Sequence, residues 1–244
     1  FDENVTPEVL FANMALGTPE RMETYEVRGE DFVSFFGRAN YSYLDRFFLY
    51  ALLRAEGSSK FAPTKRWGYF PSASFAWKVK EENFLKDVRF IDDLKLRLSY
   101  GQAGNNRIAN DSWRLLYGPS QNRPYGAGDI NQTYYNMLNS SLPNPNLRWE
   151  TTVSRNIGLD FSLFNNKLSA IIDIYKNTTK DLIIDNEIPA YNGFTKQLIN
   201  LGQTSNKGVE IGLTAPIIEK QDYGLTLSFN IGRNIPKIDK LDGN

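Results

Sequence analysis

The chain has 244 residues, 41% of them hydrophobic and 23% charged, a composition that fits neither a disordered chain nor a helical membrane protein. Its 28 Lys and Arg residues balance 28 Asp and Glu residues, so no net charge is available to attract nucleic acid. Cys and His are both absent, which excludes disulfides and removes the commonest general base and metal ligand. We therefore expect no catalytic site, no metal site and no cofactor.

Alternation of apolar and polar residues, the sequence pattern of a β-strand, recurs along the chain. It predicts eight strands of about 10–13 residues, which is long for a soluble sheet but close to what a tilted membrane strand requires. In chain order the predicted strands contain residues 33–43, 46–56, 67–78, 94–100, 153–163, 168–175, 209–215 and 225–232. The first three segments fit the alternation less cleanly than the others, and Ile171 is out of pattern in the sixth.

The connections alternate in length. Residues 44–45, 164–166 and 217–222 form short connections, whereas residues 57–66, 105–150 and 181–205 form long ones. Residues 79–92 connect two strands at the end of the sheet where the short connections lie, but they form a longer connection than the others there. Residues 81–86 could make a single helical turn. Short periplasmic turns at one rim and long extracellular loops at the other are typical of outer-membrane barrels.

Aromatic residues lie near the ends of the predicted strands, where a membrane strand meets the headgroups and where amphipathic rings are favoured. The alternative is that they are ordinary core aromatics of a soluble sheet. The residues predicted to lie at the membrane interface are Tyr41, Tyr43, Trp67, Tyr69, Phe75, Trp77 and Trp149.

The longest connection contains aromatic residues among Asn, Gln, Ser and Gly. Aromatic faces stack on sugar rings or peptide side chains, and amides hydrogen-bond to hydroxyl and backbone groups, so this mixture predicts ligand contacts. The alternative is that the loop packs against its neighbours. The candidate ligand-binding residues are Trp113, Tyr117, Tyr125, Tyr134 and Tyr135.

These patterns favour an all-β chain that forms a segment of an antiparallel transmembrane β-barrel. A soluble β-sandwich also alternates, because its apolar side faces a partner sheet. Against the sandwich, the polar sides of the predicted strands are rich in small and charged residues, as a water-filled lumen requires. The residues alone leave both architectures open.

Seven stretches in register resemble the barrel of SusC/RagA-type TonB-dependent transporters. They are residues 36–47 (FGRANYSYLDRF), 53–61 (LRAEGSSKF), 66–72 (RWGYFPS), 96–105 (LRLSYGQAGN), 144–152 (NPNLRWETT), 156–161 (NIGLDF) and 206–210 (NKGVE). Family members typically have Arg-Asp-Gly-Ser-Ser where residues 54–59 read RAEGSS, and the loops match least. The resemblance therefore indicates architecture better than substrate.

The resemblance implies a bacterial outer-membrane importer with about 22 strands around a plug. Residues 1–244 would then be part of the barrel domain, and we expect the plug, the remaining strands and any secretion signal to lie outside this sequence. The implied partners are outer-membrane lipid, a SusD-like surface lipoprotein, the TonB complex acting through the plug, and an oligosaccharide or peptide substrate. Nucleic acid is not among them.

Two other functions are open to an all-β chain. A soluble carbohydrate-binding β-sandwich would use the same alternation, and its apolar side would be covered by a second sheet. An outer-membrane lipase or protease would need a nucleophile activated by a base, which the absence of His disfavours. We therefore expect a transporter segment rather than an enzyme.

Overall fold

The structure is a computed structural model that describes residues 29–127 and 130–241, without the side chains of residues 119–136 and 192. Twelve strands occur in the described ranges. They are β1 Phe32–Tyr43, β2 Phe47–Ser58, β3 Trp67–Lys78, β4 Ile91–Asn105, β5 Tyr117–Ala127, β6 Ile130–Met137, β7 Glu150–Leu163, β8 Leu168–Lys180, β9 Ile183–Glu187, β10 Lys196–Asn200, β11 Gln203–Glu219 and β12 Gly224–Lys240.

Eight of these strands form one antiparallel sheet in the order β1-β2-β3-β4-β7-β8-β11-β12. They correspond to the eight strands predicted from alternation: β3 has the predicted bounds, and β2 begins one residue later than predicted, at Phe47. β4, β7, β8, β11 and β12 extend beyond the predicted segments, mostly toward the long connections. The all-β, antiparallel expectation is therefore confirmed.

The chain divides into two units. The larger contains the eight-stranded sheet and consists of Glu30–Arg114 and Asn139–Asn244. The smaller includes Leu115–Leu138, in which β5 and β6 pair as an antiparallel hairpin. The helical turns in the described ranges are single turns, and none of them could serve as a membrane-spanning helix.

The short connections are tight turns. Leu44 and Asp45 between β1 and β2 have positive φ, and residues 164–166 between β7 and β8 do as well. Asn tolerates this left-handed conformation better than most residues, which suits Asn165 and Asn166 to the second turn. In the longer connection from β3 to β4, a 3-10 turn covers Val79–Glu81, and the Lys86 amide then donates to the Glu82 carbonyl at 2.8 Å.

The long connections contain more regular structure than the sequence pattern predicts. Residues 105–150 contain the β5–β6 hairpin, and residues 181–205 contain a second hairpin formed by β9 and β10. The physical reason is that long loops without internal hydrogen bonds are uncommon, because their backbone N–H and C=O groups need partners.

The polar face of the sheet contains an ion-pair network across three strands. Arg97 of β4 donates to Asp160 of β7 at 2.7 and 2.9 Å and to Asp173 of β8 at 3.2 Å. Lys95 lies 3.6 Å from the same Asp160. Gly158 pairs directly with both Arg97 and Asp173, so the arginine side chain crosses the sheet over a position without a Cβ.

Replacing Gly158 should therefore disrupt this network. An added Cβ would lie 2.6 Å from Arg97 Cζ and 2.7 Å from Asp173 Oδ1, distances too short for van der Waals contact. We predict that Gly158→Val lowers the free energy of unfolding of the full-length protein by about 1–3 kcal/mol, as overpacking does elsewhere.

The measurement is the denaturant midpoint in detergent. Gly37→Val on β1 is the matched control, because a Cβ at Gly37 has no atom within 4 Å. Equal losses in the two variants would show that the general cost of replacing glycine, rather than crowding of Arg97, explains the effect.

Candidate functional site

One face of the eight-stranded sheet is apolar. The strand register places apolar side chains directly opposite one another in rows that cross the sheet. One row contains Tyr43, Phe47, Trp77, Leu96, Leu159, Ile172, Ile211 and Ile231. The next contains Tyr41, Leu49, Phe75, Leu98, Ile157, Ile174 and Val209.

The apolar rows are exposed rather than covered by a second layer. Ile157 and Ile174 are each 53% exposed, and Phe229 of β12 is 58% exposed. Soluble proteins rarely leave a contiguous apolar area of this extent in water. Within the described residues, the partner sheet that a β-sandwich would need is not present, so the surface is suited to contact lipid or another apolar partner.

Six of the predicted interface aromatics lie on this apolar face, at its two ends. Trp67 and Tyr69 lie toward the long connections, and Trp67 stacks on Phe35 with ring centroids 6.1 Å apart. At the opposite end, next to the short turns, are Tyr41, Tyr43, Phe75 and Trp77. Trp67 and Trp77 are ten residues apart in one strand, or about 33 Å along it.

Trp149, the seventh predicted interface residue, lies elsewhere. It is only 6% exposed and packs in a cluster with Phe61, Phe70, Ile108 and Leu147, which we call the loop-end cluster. Its indole N–H donates to the Arg66 carbonyl at 2.9 Å, and its ring centroid is 5.2 Å from that of Phe61. Just before it, the Leu147 amide donates to the Asn144 carbonyl at 3.3 Å, which closes a turn at the entry to β7.

The loop-end cluster joins the long connections. Ile183 of β9 and Leu198 of β10 pack against it. Asn144 Nδ2 donates to the Leu198 carbonyl at 2.8 Å, and Asn200 Nδ2 donates to the Arg148 carbonyl at the same distance. The segment that leads into β7 is therefore fixed to the second hairpin.

A polar network holds the start of β1 near the same end of the sheet. Lys60 Nζ lies 3.0 Å from Glu30, and Asn106 Nδ2 donates to Glu30 at 2.7 Å. Ser58 also donates to the Glu30 carboxylate, at 3.1 Å. The hydrogen bond from Lys60 holds the pKa of Glu30 below its ordinary value, and those from Ser58 and Asn106 add to the effect, while burial opposes it.

The comparison with known proteins identifies this arrangement. The sequence matches, over residues 9–242, the family described as TonB dependent receptor-like, beta-barrel. The chain belongs to this family. TonB-dependent receptors are outer-membrane proteins, and the family consists of receptors and transporters rather than enzymes.

Three relatives are informative. The chain is 40% identical over 225 residues to TonB-dependent receptor SusC of Bacteroides thetaiotaomicron, covering 91% of this chain and 22% of SusC. It is 34% identical over 237 residues to TonB-dependent receptor P3 of Formosa agariphila, covering 97% and 23%. A solved structure of the RagAB peptide importer in the open-open state matches with a TM-score of 0.78 and 29% identity, covering 94% of this chain and 24% of that one.

These matches confirm the SusC/RagA-type resemblance. The chain spans about a quarter or less of the length of each relative. In this TonB-dependent receptor segment, the eight-stranded sheet is accordingly part of a β-barrel wall. The exposure of its apolar face, which a soluble protein could not easily tolerate, agrees with that fold.

The predicted ligand contacts fall in both units of the receptor segment. Tyr117 begins β5 and is 59% exposed. Of the backbone partners in the hairpin, Tyr125 is opposite Gln132, Tyr134 is opposite Ser120 and Tyr135 is opposite Pro119. Trp113 belongs to the larger unit, where the Arg114 guanidinium lies over its ring at 5.4 Å. Their role in binding a ligand stays a prediction.

We predict that Trp149→Ala loosens the long connections without disrupting the wall. Loss of a buried tryptophan side chain should cost about 3–5 kcal/mol of local stability, because the loop-end cluster would keep a cavity. Trp149→Phe should cost less, because it retains the packing and loses mainly the hydrogen bond to Arg66.

Hydrogen exchange of the full-length protein would test this. Faster exchange is expected in the segment around Phe61 and in β9 and β10, with β7 and β8 unchanged. Trp67→Ala is the control, because Trp67 is on the apolar face. Unaltered exchange around Phe61 in Trp149→Ala would contradict the proposed anchoring role.

Proposed function

We propose that this chain forms part of the barrel wall of a TonB-dependent importer that takes up oligosaccharides or peptides across the bacterial outer membrane. The observation that carries the proposal is the exposed apolar face with aromatic residues at both ends. Over the ten residues from Trp67 to Trp77, a strand tilted by about 40° rises roughly 25 Å, which is the height of the apolar band of an outer-membrane barrel.

The two ends of the sheet support one orientation in the membrane. The turns after β1, β7 and β11 are short, whereas the connections after β2, β4 and β8 are longer, and two of these contain hairpins. Outer-membrane barrels have short periplasmic turns and long extracellular loops. The loop-end cluster would accordingly lie on the cell exterior, where it would hold the loops around the mouth of the barrel.

The outer strands of the sheet support a larger closed wall. Among the described residues, β1 pairs only with β2, and β12 only with β11. Unpaired backbone groups in the hydrocarbon core cost several kcal/mol each, so membrane sheets close into barrels. Further strands of the same wall would pair with β1 and β12, and about 22 strands would enclose a plug.

The polar face would line the lumen, where the ion pairs of Arg97 with Asp160 and Asp173 keep charged side chains flat against the wall. The wall would be passive. Gating would belong to the plug and energy would come from the TonB complex acting on it. A SusD-like lipoprotein would cover the extracellular mouth, which agrees with the likeness to SusC and to the RagAB peptide importer.

Lipid contact of the apolar face can be tested on neighbouring residues of β7. Asn156 and Ile157 have the same depth and point to opposite faces. In cells making the full-length protein, we expect Ile157→Cys to react with a membrane-dissolved maleimide and to resist a charged, water-soluble one. Asn156→Cys should show the reverse preference.

The chain itself has no cysteine to interfere, and Leu98→Cys with Ser99→Cys on β4 provides a second pair. Rapid reaction of both Ile157→Cys and Leu98→Cys with the charged reagent would refute the membrane wall and favour a soluble binding module.

The ligand role of the longest connection calls for an uptake measurement. We predict that Trp113→Ala combined with Tyr117→Ala raises the apparent KM for the imported oligosaccharide or peptide about tenfold, since an aromatic contact contributes roughly 0.5–1.5 kcal/mol. Growth on a panel of oligosaccharides and peptides identifies the substrate, and labelled substrate gives the KM.

Tyr191→Ala is the matched control, because Tyr191 is 83% exposed in the other long connection. Wild-type KM in the double variant, at an equal amount of protein in the membrane, would exclude these two residues as ligand contacts. That result would not contradict the proposal that the chain forms part of the barrel wall.

A further inference from the structure

Three basic residues face one another across neighbouring strands of the apolar face. Arg155 of β7 pairs with Lys176 of β8, and Lys176 pairs with Lys207 of β11. In the adjacent row, Arg233 of β12 is opposite Val209. We call Arg155, Lys176, Lys207 and Arg233 the basic patch.

The basic patch is an unfavourable arrangement by itself. Adjacent strands are about 4.8 Å apart, and like charges directly opposite each other destabilise a sheet. All four side chains are exposed, and in the part of the chain that the structure describes none of them is in an ion pair. The nearby carboxylate of Asp239 attracts Lys176, but it is 3.7 Å from Lys237 and accepts a hydrogen bond from Gln203 at 3.1 Å, so it offsets only part of the positive charge. An external anion would remove the repulsion.

The depth of the basic patch is that of a lipid headgroup, an argument that rests on the proposed function. Arg155 lies eight residues before the end of β7 at Leu163, and Lys176 lies eight residues after the start of β8 at Leu168. Eight residues correspond to about 26 Å along a strand, or roughly 20 Å across the membrane at a tilt of about 40°. With an apolar band about 25 Å high, the patch therefore lies about 5 Å inside its edge on the long-connection side, a distance that the long Lys and Arg side chains can span to reach the headgroups.

An apolar groove adjoins the basic patch on the side of the short turns. It has a volume of about 610 Å³, and its lining includes Leu98, Ile157 and Ile174 as well as Arg155, Lys176 and Lys207. The Arg155 guanidinium lies over the Tyr100 ring at 5.8 Å, which holds it at the rim of the groove. The cations lie toward the long connections and the aliphatic side chains toward the short turns. This arrangement matches the charged headgroup and the acyl chains of an anionic lipid.

We propose that the basic patch and this groove bind a phosphate-bearing lipid of the outer leaflet, with the phosphate between Arg155, Lys176 and Lys207 and an acyl chain along Ile157 and Ile174. Charge complementarity favours the anionic headgroup, and the apolar lining favours a lipid over a free anion. The site lies on the surface of the wall that faces the membrane and is separate from the path of the imported substrate.

The test uses the full-length receptor in neutral detergent, with phosphatidic acid as the probe and native mass spectrometry as the measurement. Combining Arg155→Gln, Lys176→Gln and Lys207→Gln should weaken binding about 100-fold, because each cation at a membrane surface contributes roughly fivefold. The single change Lys176→Gln should weaken it roughly fivefold. The matched control removes three exposed cations near the short turns, with Lys86→Gln, Lys167→Gln and Lys220→Gln, and should bind as the wild type does.

The unfolding midpoint provides a second measurement. Phosphatidic acid should raise it for the wild type and not for the triple variant, which without lipid should be at least as stable as the wild type. Unchanged binding in the triple variant, equal loss in the control, or equally strong binding of inorganic phosphate would each overturn the lipid site. The cysteine labelling of Ile157 is independent of these outcomes, so the lipid site can fail while the membrane wall stands.

Discussion

The in-register pairing of the eight strands makes one continuous apolar surface out of eight separately alternating sequences. Side chains alternate between the faces of a strand, so a slip of one residue in any pairing would send that strand's apolar side chains to the polar face. Irregularities occur near strand ends, between Ile91 and Asp93, between Gln203 and Thr204, and between Pro216 and Ile218. The row from Tyr43 to Ile231 is therefore uninterrupted across all eight strands.

The same strand register produces two faces with different chemistry. On the apolar face, neighbouring strands place large aliphatic and aromatic side chains opposite one another, and nothing among the described residues covers them. On the polar face, Gly158 leaves room for Arg97 to reach Asp160 and Asp173 across two strands. On the polar face, neighbouring side chains of opposite charge neutralise one another. On the apolar face, the positive charges of the basic patch need an external anion.

Alternation along the chain was sufficient to predict the eight long strands, because each must present one apolar side for its full length. It could not predict the hairpins in the long connections. β9 and β10 have only five residues each, and β5 contains Gly, Pro and polar residues without alternation. The seven stretches of family resemblance indicated the barrel because they lie mostly in strands, whereas the long connections, for which we predict ligand contacts, match least.

Residue type alone also could not separate two environments of tryptophan. Trp67 and Trp149 both stand near the long-connection end of a strand, yet one is exposed on the apolar face and the other is buried with Phe61 and Phe70. The Asn-Pro-Asn turn at residues 144–146 was the available signal for Trp149, since it returns the chain toward the sheet. The basic patch had no sequence signal, because Arg155, Lys176 and Lys207 are separated by whole strands and meet only in the register. In a barrel wall, the side chains that contact one ligand come from neighbouring strands. They are far apart in the sequence, so the sequence pattern alone does not group them.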